Sequence, residues 1–299
     1  MPMQKFRGIM PIMPTAINPD GELDLASQRR LVDYCIENNA VAVGHFGGAS
    51  EYHKISVDQR QPLLEAIIEQ VNHRVPVFIG VAALDLRSVI QNARQAHDMG
   101  ADYLLLSSPI SGELRHDRLF DYYKAVSDAV SLPIIAQDTG ASAPVYSAAF
   151  FYELFEKIDN VVSVKVDSGD FLEKTVKLNQ LSHEGIPVIG GAAGLNMVHL
   201  LRQGVTAFMT GTEAVELHDA VVQAYLSDNE LKATEIYYQR LLPYLMIYVS
   251  NPSYLLKWML KRRGIIMHDT LLPPTDVPET DEAILRELEW VLENLSRQV

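Results

Sequence analysis

PVFIGVAALDLRSVIQNARQAHDMGADYLLLSSP, residues 76–109, decides the fold class. Its two ends are short apolar runs, residues 76–83 and 102–109, which are typical of buried β-strands. Between them, residues 85–100 have the pattern of an amphipathic helix and end in Gly100, the residue type expected just after a helix. A strand, a helix and a strand in this order predict parallel strands whose sheet is covered by helices.

The same alternation of apolar runs and amphipathic stretches continues nearly to residue 227. The eight apolar runs are residues 8–17, 40–47, 76–83, 102–109, 133–138, 161–168, 187–194 and 207–212. Eight such units predict an α/β fold of the (β/α)8 TIM-barrel class. An open doubly wound sheet is the alternative, but its GxGxxG dinucleotide fingerprint is absent after the first run, which leads into TAINPDGELD instead.

The chain beyond residue 228 has helical patterns only, in ELKATEIYYQRLLPYLMIYV, PSYLLKWMLKRRG and TDEAILRELEWVLENL. We therefore expect a barrel catalytic domain over residues 1–227 and a C-terminal helical region over residues 228–299. No linker rich in serine and glycine separates them, which favours one structural unit with an appendage.

Composition excludes several classes of partner. The formal net charge of −13 disfavours binding to nucleic acid and to anionic membrane surfaces. The single cysteine, Cys35, excludes an intramolecular disulfide and fits a reducing compartment. No apolar run approaches the roughly 18 residues of a membrane span. These features predict a soluble, cytoplasmic, globular protein.

A lysine stands inside the sixth apolar run, VVSVKVDSGD (161–170). Side chains alternate across a strand, so Lys165 shares its face with Ser163 and Asp167, and this polar face is predicted to point into the barrel mouth. Burial disfavours a charged ammonium, and an amine that is uncharged part of the time can form a Schiff base with a ketone. The alternatives are a lysine that reaches solvent at the strand end, or one paired structurally with Asp167.

Two further strand ends carry candidate site residues. HFGGASEY (45–52) follows the second run, and its backbone N–H groups could hold a carboxylate; a plain glycine-rich turn is the alternative. The fifth run ends in AQDTG, which places Gln137 and Asp138 at the predicted mouth. Asp138 is either an acid/base group or a cap of the turn.

Taken together, these motifs resemble the dihydrodipicolinate synthase and N-acetylneuraminate lyase superfamily. The resemblance rests on the lysine in VVSVKVDSGD, the GGASE turn after strand two, LPII in strand five and NPSYLLKWMLKRRGI near the C-terminus, and it covers essentially the whole chain. It implies a (β/α)8 barrel with C-terminal helices, usually a homotetramer, in which Lys165 forms a Schiff base with a 2-keto acid. It implies no cofactor.

The sequence departs from the family pattern at several site positions. The usual GTTGE turn is Gly47-Gly48-Ala49-Ser50-Glu51 here, so the resemblance leaves the amides of Gly48, Ala49 and Ser50 to bind the substrate carboxylate. Gln137 replaces the strand-five tyrosine that relays protons.

Three more positions follow from the same alignment. Ser111 stands where the family has a second tyrosine, Ser142 lies near the place of the arginine that binds a second carboxylate, and Phe208 is expected to flank the bound keto acid. Without both tyrosines and the arginine, condensation of pyruvate with aspartate semialdehyde is disfavoured.

The Gln-Asp pair at strand five and the Ser-Glu pair after strand two resemble the branch of 2-keto-3-deoxy-L-arabonate dehydratases. The hypothesis is a lyase in which Lys165 forms an imine with a 2-keto-3-deoxy sugar acid, followed either by loss of the C4 hydroxyl or by aldol cleavage. Glutamine does not titrate, so proton transfer is assigned to Glu51, Asp138, His45 or a water held by Gln137. Glu51 is equally interpreted as a structural cap.

Two other classes remain open. A metal-dependent aldolase is disfavoured because the nine histidines show no HxH or HExxH pairing, so no metal site is predicted. The other class is a non-catalytic homologue that binds keto acids. Dihydrodipicolinate synthase-type condensation stays a further alternative within the family.

Overall fold

The computed structural model describes residues 6–109, 115–138, 146–181, 185–276 and 282–296. Its contacts divide the chain into two compact units. The first consists of Pro76–Met209 and the stretch that ends at Arg7, and the second of Gly8–Val75 and the chain from Thr210 onward. The predicted boundary between residues 227 and 228 differs from this division and stays a prediction.

The first unit alternates strands and helices throughout its described residues. Its elements are β3 Val77–Gly80, α3 Leu86–Asp98, β4 Tyr103–Ser107, α4 His116–Ala129, β5 Ile134–Asp138, α5 Ala148–Lys157, β6 Val161–Val166, α6 Phe171–Leu181, β7 Val188–Gly190, α7 Met197–Leu201 and β8 Ala207–Phe208, with a 3-10 turn at Ala192–Gly194. The strands lie side by side in chain order, and each neighbouring pair is parallel. The parallel sheet predicted from residues 76–109 is confirmed.

Helix α3 shows how the sequence sets these elements. The carboxylate of Asp85 accepts a hydrogen bond from the N–H of Ser88, which caps the first turn. Val89, Ala93 and Ala96 recur at helical spacing and are fully buried, so one face packs on the core. Gly100 has a φ of +93°, a conformation that glycine adopts without steric cost as the chain leaves the helix.

Within its described residues, the second unit contains two strands and most of the helices. Its elements are β1 Gly8–Ile9, α1 Leu25–Glu37, β2 Val43–His45, α2 Val57–Val71, α8 Val215–Leu226, α9 Glu230–Ile236, a π-helical turn at Tyr237–Leu241, α10 Leu242–Tyr248, α11 Pro252–Arg262 and α12 Glu282–Ser296, with 3-10 turns at Gly48–Ser50 and Tyr52–Lys54. A parallel bridge joins Ile12 to Gly44, beside β1 and β2.

The predicted C-terminal helical region is confirmed by α9 to α12. Apolar side chains of α11, including Leu256, Met259 and Leu260, are fully buried. Helix α12 is tied to the π-helical turn because the Asn294 side chain donates to the Gln239 carbonyl at 3.0 Å. In the part of the chain that the structure describes, no helix is long and apolar enough to cross a membrane.

Candidate active site

Lys165 lies on β6 with its amine withdrawn from solvent. The residue is 5% exposed, and its strand neighbours Ser163 and Val164 are fully buried. In the parallel register Lys165 pairs with Gln137 of β5. The alternative in which this lysine reaches solvent at the strand end is therefore wrong.

Asp167 holds the lysine in place. One carboxylate oxygen, Oδ2, accepts hydrogen bonds from Lys165 Nζ and from Gln137 Nε2, the latter at 2.7 Å. The other oxygen, Oδ1, accepts from the backbone N–H of Ala192 at 2.6 Å. Burial alone would raise the pKa of Asp167, but the charge of Lys165 and these hydrogen bonds lower it. The pairing of Lys165 with Asp167 that the sequence left open is present.

The turn after β7 lies directly against the Asp167 carboxylate. A Cβ on Gly191 would lie 1.9 Å from Asp167 Oδ1, so the position has no room for a side chain. Ala192 and Ala193 follow with φ values of 49° and 55°, a left-handed backbone that non-glycine residues rarely adopt. This strained turn brings the Ala192 N–H to the carboxylate.

Gln137 donates to the Asp167 carboxylate that Lys165 also contacts, whereas Asp138 belongs to a different hydrogen-bond network. The Asp138 carboxylate is fully buried and accepts hydrogen bonds from Ser168 and from Lys174 Nζ of α6, the latter at 2.5 Å. Burial raises the pKa of Asp138 despite the nearby ammonium. Its contacts link β5 to α6, which favours a structural role, and the acid/base role of Asp138 stays a prediction.

Phe208 is fully buried on β8 and packs against β7. A Cβ on Gly190 would meet its ring at 2.4 Å, so the glycine makes room for the phenylalanine. Its predicted contact with substrate stays a prediction. Ser111 and Ser142 lie outside the described residues, as does Thr139.

The predicted carboxylate-binding turn belongs to the second unit. Gly48 is exposed and Ala49 is half-buried, and among the described residues their N–H groups have no hydrogen-bond acceptor. The Ser50 N–H, by contrast, donates to the Gly47 carbonyl at 3.0 Å within the turn. Two of the three predicted amides are therefore open to a ligand.

The Ser50 hydroxyl is used inside the protein as well. It donates to the Met13 carbonyl at 2.6 Å, while the Ser50 carbonyl accepts from the Thr15 hydroxyl at 2.6 Å. These bonds fix the turn to the segment that follows β1.

Glu51 is buried and bonded to two lysines. Lys54 Nζ and Lys257 Nζ each lie 2.7 Å from one of its carboxylate oxygens. Burial alone would raise the pKa of Glu51, but Lys257 and Lys54 lower it. Neither of these lysines is the candidate nucleophile Lys165, so the structural interpretation of Glu51 is favoured.

His45 is buried at the end of β2, where burial lowers its pKa to about 3. It is neutral near pH 7 and cannot then donate as an imidazolium. Within the described stretches, no group of three or more His, Cys, Asp or Glu side chains is placed to hold a metal ion.

Sequence reasoning considers Asp167 only as a structural partner of Lys165, and it does not identify Lys257. The position of Asp167, two residues after the lysine on the same strand face, was the available signal. Lys257 lies 206 positions from Glu51, and no local pattern links two residues so far apart.

Comparison with known proteins identifies the family. The sequence pattern described as "Dihydrodipicolinate synthetase family" matches residues 5–294. An L-2-keto-3-deoxyarabonate dehydratase from Azospirillum brasilense is 31% identical over 211 residues, 69% of this chain and 68% of that protein. A 4-hydroxy-tetrahydrodipicolinate synthase from Coxiella burnetii (strain Dugway 5J108-111) is 25% identical over 285 residues, 94% of this chain and 96% of that protein.

The fold is shown by solved structures. A structure titled as a putative dihydrodipicolinate synthetase from Pseudomonas aeruginosa superposes with a TM-score of 0.90 at 24% identity, covering 97% of this chain and 99% of that one. The predicted (β/α)8 barrel with C-terminal helices is confirmed. The chain thus belongs to the dihydrodipicolinate synthetase family and is a lyase-type enzyme of that family.

Proposed function

We propose that this enzyme dehydrates a 2-keto-3-deoxy sugar acid through a Schiff base on Lys165. The observation that carries the proposal is a buried lysine amine on the polar face of β6, within hydrogen-bond reach of a carboxylate. The relative named as an L-2-keto-3-deoxyarabonate dehydratase supports the choice of substrate class.

The chemistry follows from the amine. Lys165 attacks the C2 carbonyl of the substrate, water leaves, and a protonated imine forms. This imine withdraws electrons, so the C3 proton becomes acidic and its loss gives an enamine. The enamine then expels the C4 hydroxyl, which leaves as water with the proton taken from C3. In 2-keto-3-deoxy-L-arabonate, one hydrogen from C5 and one from its hydroxyl then move as protons to C3 and C4, which gives an aldehyde at C5. Hydrolysis of the imine releases 2-oxoglutarate semialdehyde and the free amine of Lys165.

For the substrate carboxylate, the proposal keeps the role predicted for Gly48, Ala49 and Ser50. Local geometry supports it at the first two positions, where the backbone N–H groups have no acceptor among the described residues. Charge-assisted hydrogen bonds from backbone amides are among the stronger ones in proteins.

Product analysis tests the reaction. The purified enzyme is incubated with 2-keto-3-deoxy-L-arabonate, and the products are identified by mass spectrometry. We expect 2-oxoglutarate semialdehyde; pyruvate would instead indicate aldol cleavage and overturn the dehydratase proposal. A parallel reaction with pyruvate and aspartate semialdehyde tests the condensation that stays the alternative within the family.

Two properties implied by the resemblance belong to the proposal too. We expect a homotetramer, which light scattering after size-exclusion chromatography measures directly. We also expect a cytoplasmic location, which cell fractionation tests. A protein that converts none of these substrates would overturn the proposed substrate class.

A further inference from the structure

We infer that Asp167 is the acid/base residue that carries protons to and from the Schiff base on Lys165. The inference rests on the proposed function and names the group that replaces the family's strand-five tyrosine. Gln137 occupies the position of that tyrosine and has no proton to exchange at neutral pH.

The contact between the two side chains is the first support. In the described part of the chain, Asp167 Oδ2 is the one hydrogen-bond acceptor found for Lys165 Nζ. A general base must lie within hydrogen-bond reach of the proton that it takes, and Asp167 meets this condition. The Asp167 side chain is 13% exposed and that of Lys165 is 6% exposed, so the carboxylate lies on the more open side of the pair.

The fixed orientation of the carboxylate is the second support. Gln137 and Ala192 donate to its two oxygens, and Gly191 leaves the space that Oδ1 occupies. The same turn places Ala192 and Ala193 in a left-handed backbone. Strained backbone of this kind persists where the surroundings over-determine it, and it clusters at functional sites.

The proton balance can be written atom by atom. Asp167 takes one proton from the Lys165 ammonium, and the free amine attacks C2 of the 2-keto acid. A proton passes from the nitrogen to the former carbonyl oxygen through Asp167, which gives a carbinolamine. Asp167 then protonates this hydroxyl, water leaves, and the C=N bond forms. Two ammonium protons depart in the water, one stays on the imine nitrogen, and Asp167 ends as a carboxylate.

The charge of Lys165 controls when Asp167 holds a proton. Burial raises the pKa of Asp167, and the ammonium of Lys165 is the largest cause that lowers it. Once the amine has passed a proton to Asp167, this cause is lost, which favours the protonated carboxyl group at the stage at which it donates.

The test measures the rate of imine formation with pyruvate, by borohydride quenching and mass spectrometry, in Asp167→Asn and in the parent enzyme. We expect a rate about 10²- to 10⁴-fold lower in Asp167→Asn, the usual range for loss of general acid–base catalysis. Asp170→Asn is the matched control, because Asp170 contacts Ser168 and Lys174 rather than Lys165. It is expected to react at the parent rate.

Chemical rescue separates catalysis from a structural role. In Asp167→Ala, added formate is expected to restore imine formation, because it returns a carboxylate to the vacated space. Circular dichroism and the melting temperature of each variant report folding. If Asp167→Asn does not fold, Asp167→Glu takes its place. The folded glutamate variant is expected to form the imine at a measurable rate that added formate does not raise. A rate of imine formation below that of Asp167→Ala would overturn the inference.

The outcomes distinguish this inference from the proposed function. An imine in the parent enzyme that forms at the same rate in Asp167→Asn overturns the role of Asp167 and leaves the Schiff base intact. A slow Asp167→Ala variant that formate does not rescue also overturns it, in favour of a structural role. A parent enzyme that traps no keto acid overturns both.

Discussion

Among the buried lysine–carboxylate pairs, Glu51 with Lys257 in the second unit and Asp167 with Lys165 in the first differ in how far the hydrogen bonds of the lysine are satisfied. Glu51 is bonded to both Lys54 and Lys257, and Lys257 donates in addition to the Thr270 carbonyl at 2.8 Å. Lys165 has Asp167 as its acceptor, and the nearby Ser163 hydroxyl has no hydrogen-bond partner among the described residues.

The number of hydrogen bonds that each lysine makes distinguishes a structural pair from a reactive one. Removing one member of a fully satisfied buried pair leaves an uncompensated charge and costs stability. An amine with unused hydrogen-bonding capacity, beside a carboxylate that can take its proton, is able to react. Burial of a lysine alone therefore does not identify a nucleophile, and its partners have to be considered.

The largest effect is expected at Lys165. Lys165→Arg keeps the positive charge and the contact with Asp167 but cannot form an imine. We expect turnover of the 2-keto acid to fall by at least about 10⁴-fold while the protein stays folded. A steady-state assay measures the turnover, and circular dichroism shows whether the variant is folded. A folded variant that retains a tenth of the parent activity would contradict the role of Lys165 as the nucleophile.

Lys257→Met tests the fully hydrogen-bonded pair of Glu51 and Lys257. Glu51 keeps Lys54 but loses a bond deep in the protein, so we expect the free energy of unfolding to fall by about 3 kcal/mol. The double variant Glu51→Gln with Lys257→Met is expected to recover part of this loss, because the buried carboxylate is removed and Lys54 keeps its hydrogen bond to the Thr275 hydroxyl. Urea unfolding measures both variants. A loss below about 1 kcal/mol in Lys257→Met would contradict a stabilising role for the pair.

Glu213 extends the comparison to a buried carboxyl without a lysine. Burial raises its pKa from 4.5 to about 7, although the Tyr244 hydroxyl and the charge of Arg263 lower it. Between these pH values the folded protein binds a proton that the unfolded chain has lost. The free energy of unfolding should therefore fall by about 3 kcal/mol as pH rises through this window.

Glu213→Gln should remove that part of the pH dependence, because the amide does not titrate. Urea unfolding at several pH values between about 4.5 and 8 provides the measurement. Identical slopes for the parent and the variant would show that Glu213 does not carry the effect.

The smallest effect is expected at Thr15. Thr15→Val removes the hydroxyl that donates to the Ser50 carbonyl, and we expect a loss of about 1 kcal/mol, typical of one hydrogen bond. Imine formation with pyruvate, followed by borohydride quenching, should continue. A variant as stable as the parent would show that this bond does not hold the turn.

Sequence reasoning could reach the fold and the lysine because both depend on local periodicity. The alternation in residues 76–109 predicted β3, α3 and β4, and the two-residue repeat in β6 placed Lys165 on a polar face. Strand lengths were less accurate: the run 207–212 yields a strand of two residues, Ala207–Phe208. A strand ends where its backbone stops pairing with the neighbouring strands, and those neighbours are far away in sequence.

The partners of the site residues could not be predicted for the same reason. Asp167 receives Gln137 from β5 and Ala192 from the turn after β7, which lie 30 and 25 positions away. Asp138 and Gln137 are adjacent in sequence, yet alternation sends their side chains to different networks. Only the folded arrangement distinguishes the half-exposed Gln137 from the buried Asp138.

The most direct measurement locates the covalent adduct among the buried lysines. The enzyme is treated with a 2-keto acid and borohydride, digested, and its peptides are sequenced by mass spectrometry. The account predicts a reduced adduct on Lys165, with Lys174 and Lys257 unmodified. An adduct on either of those lysines, or none with pyruvate or any 2-keto-3-deoxy acid, would contradict it.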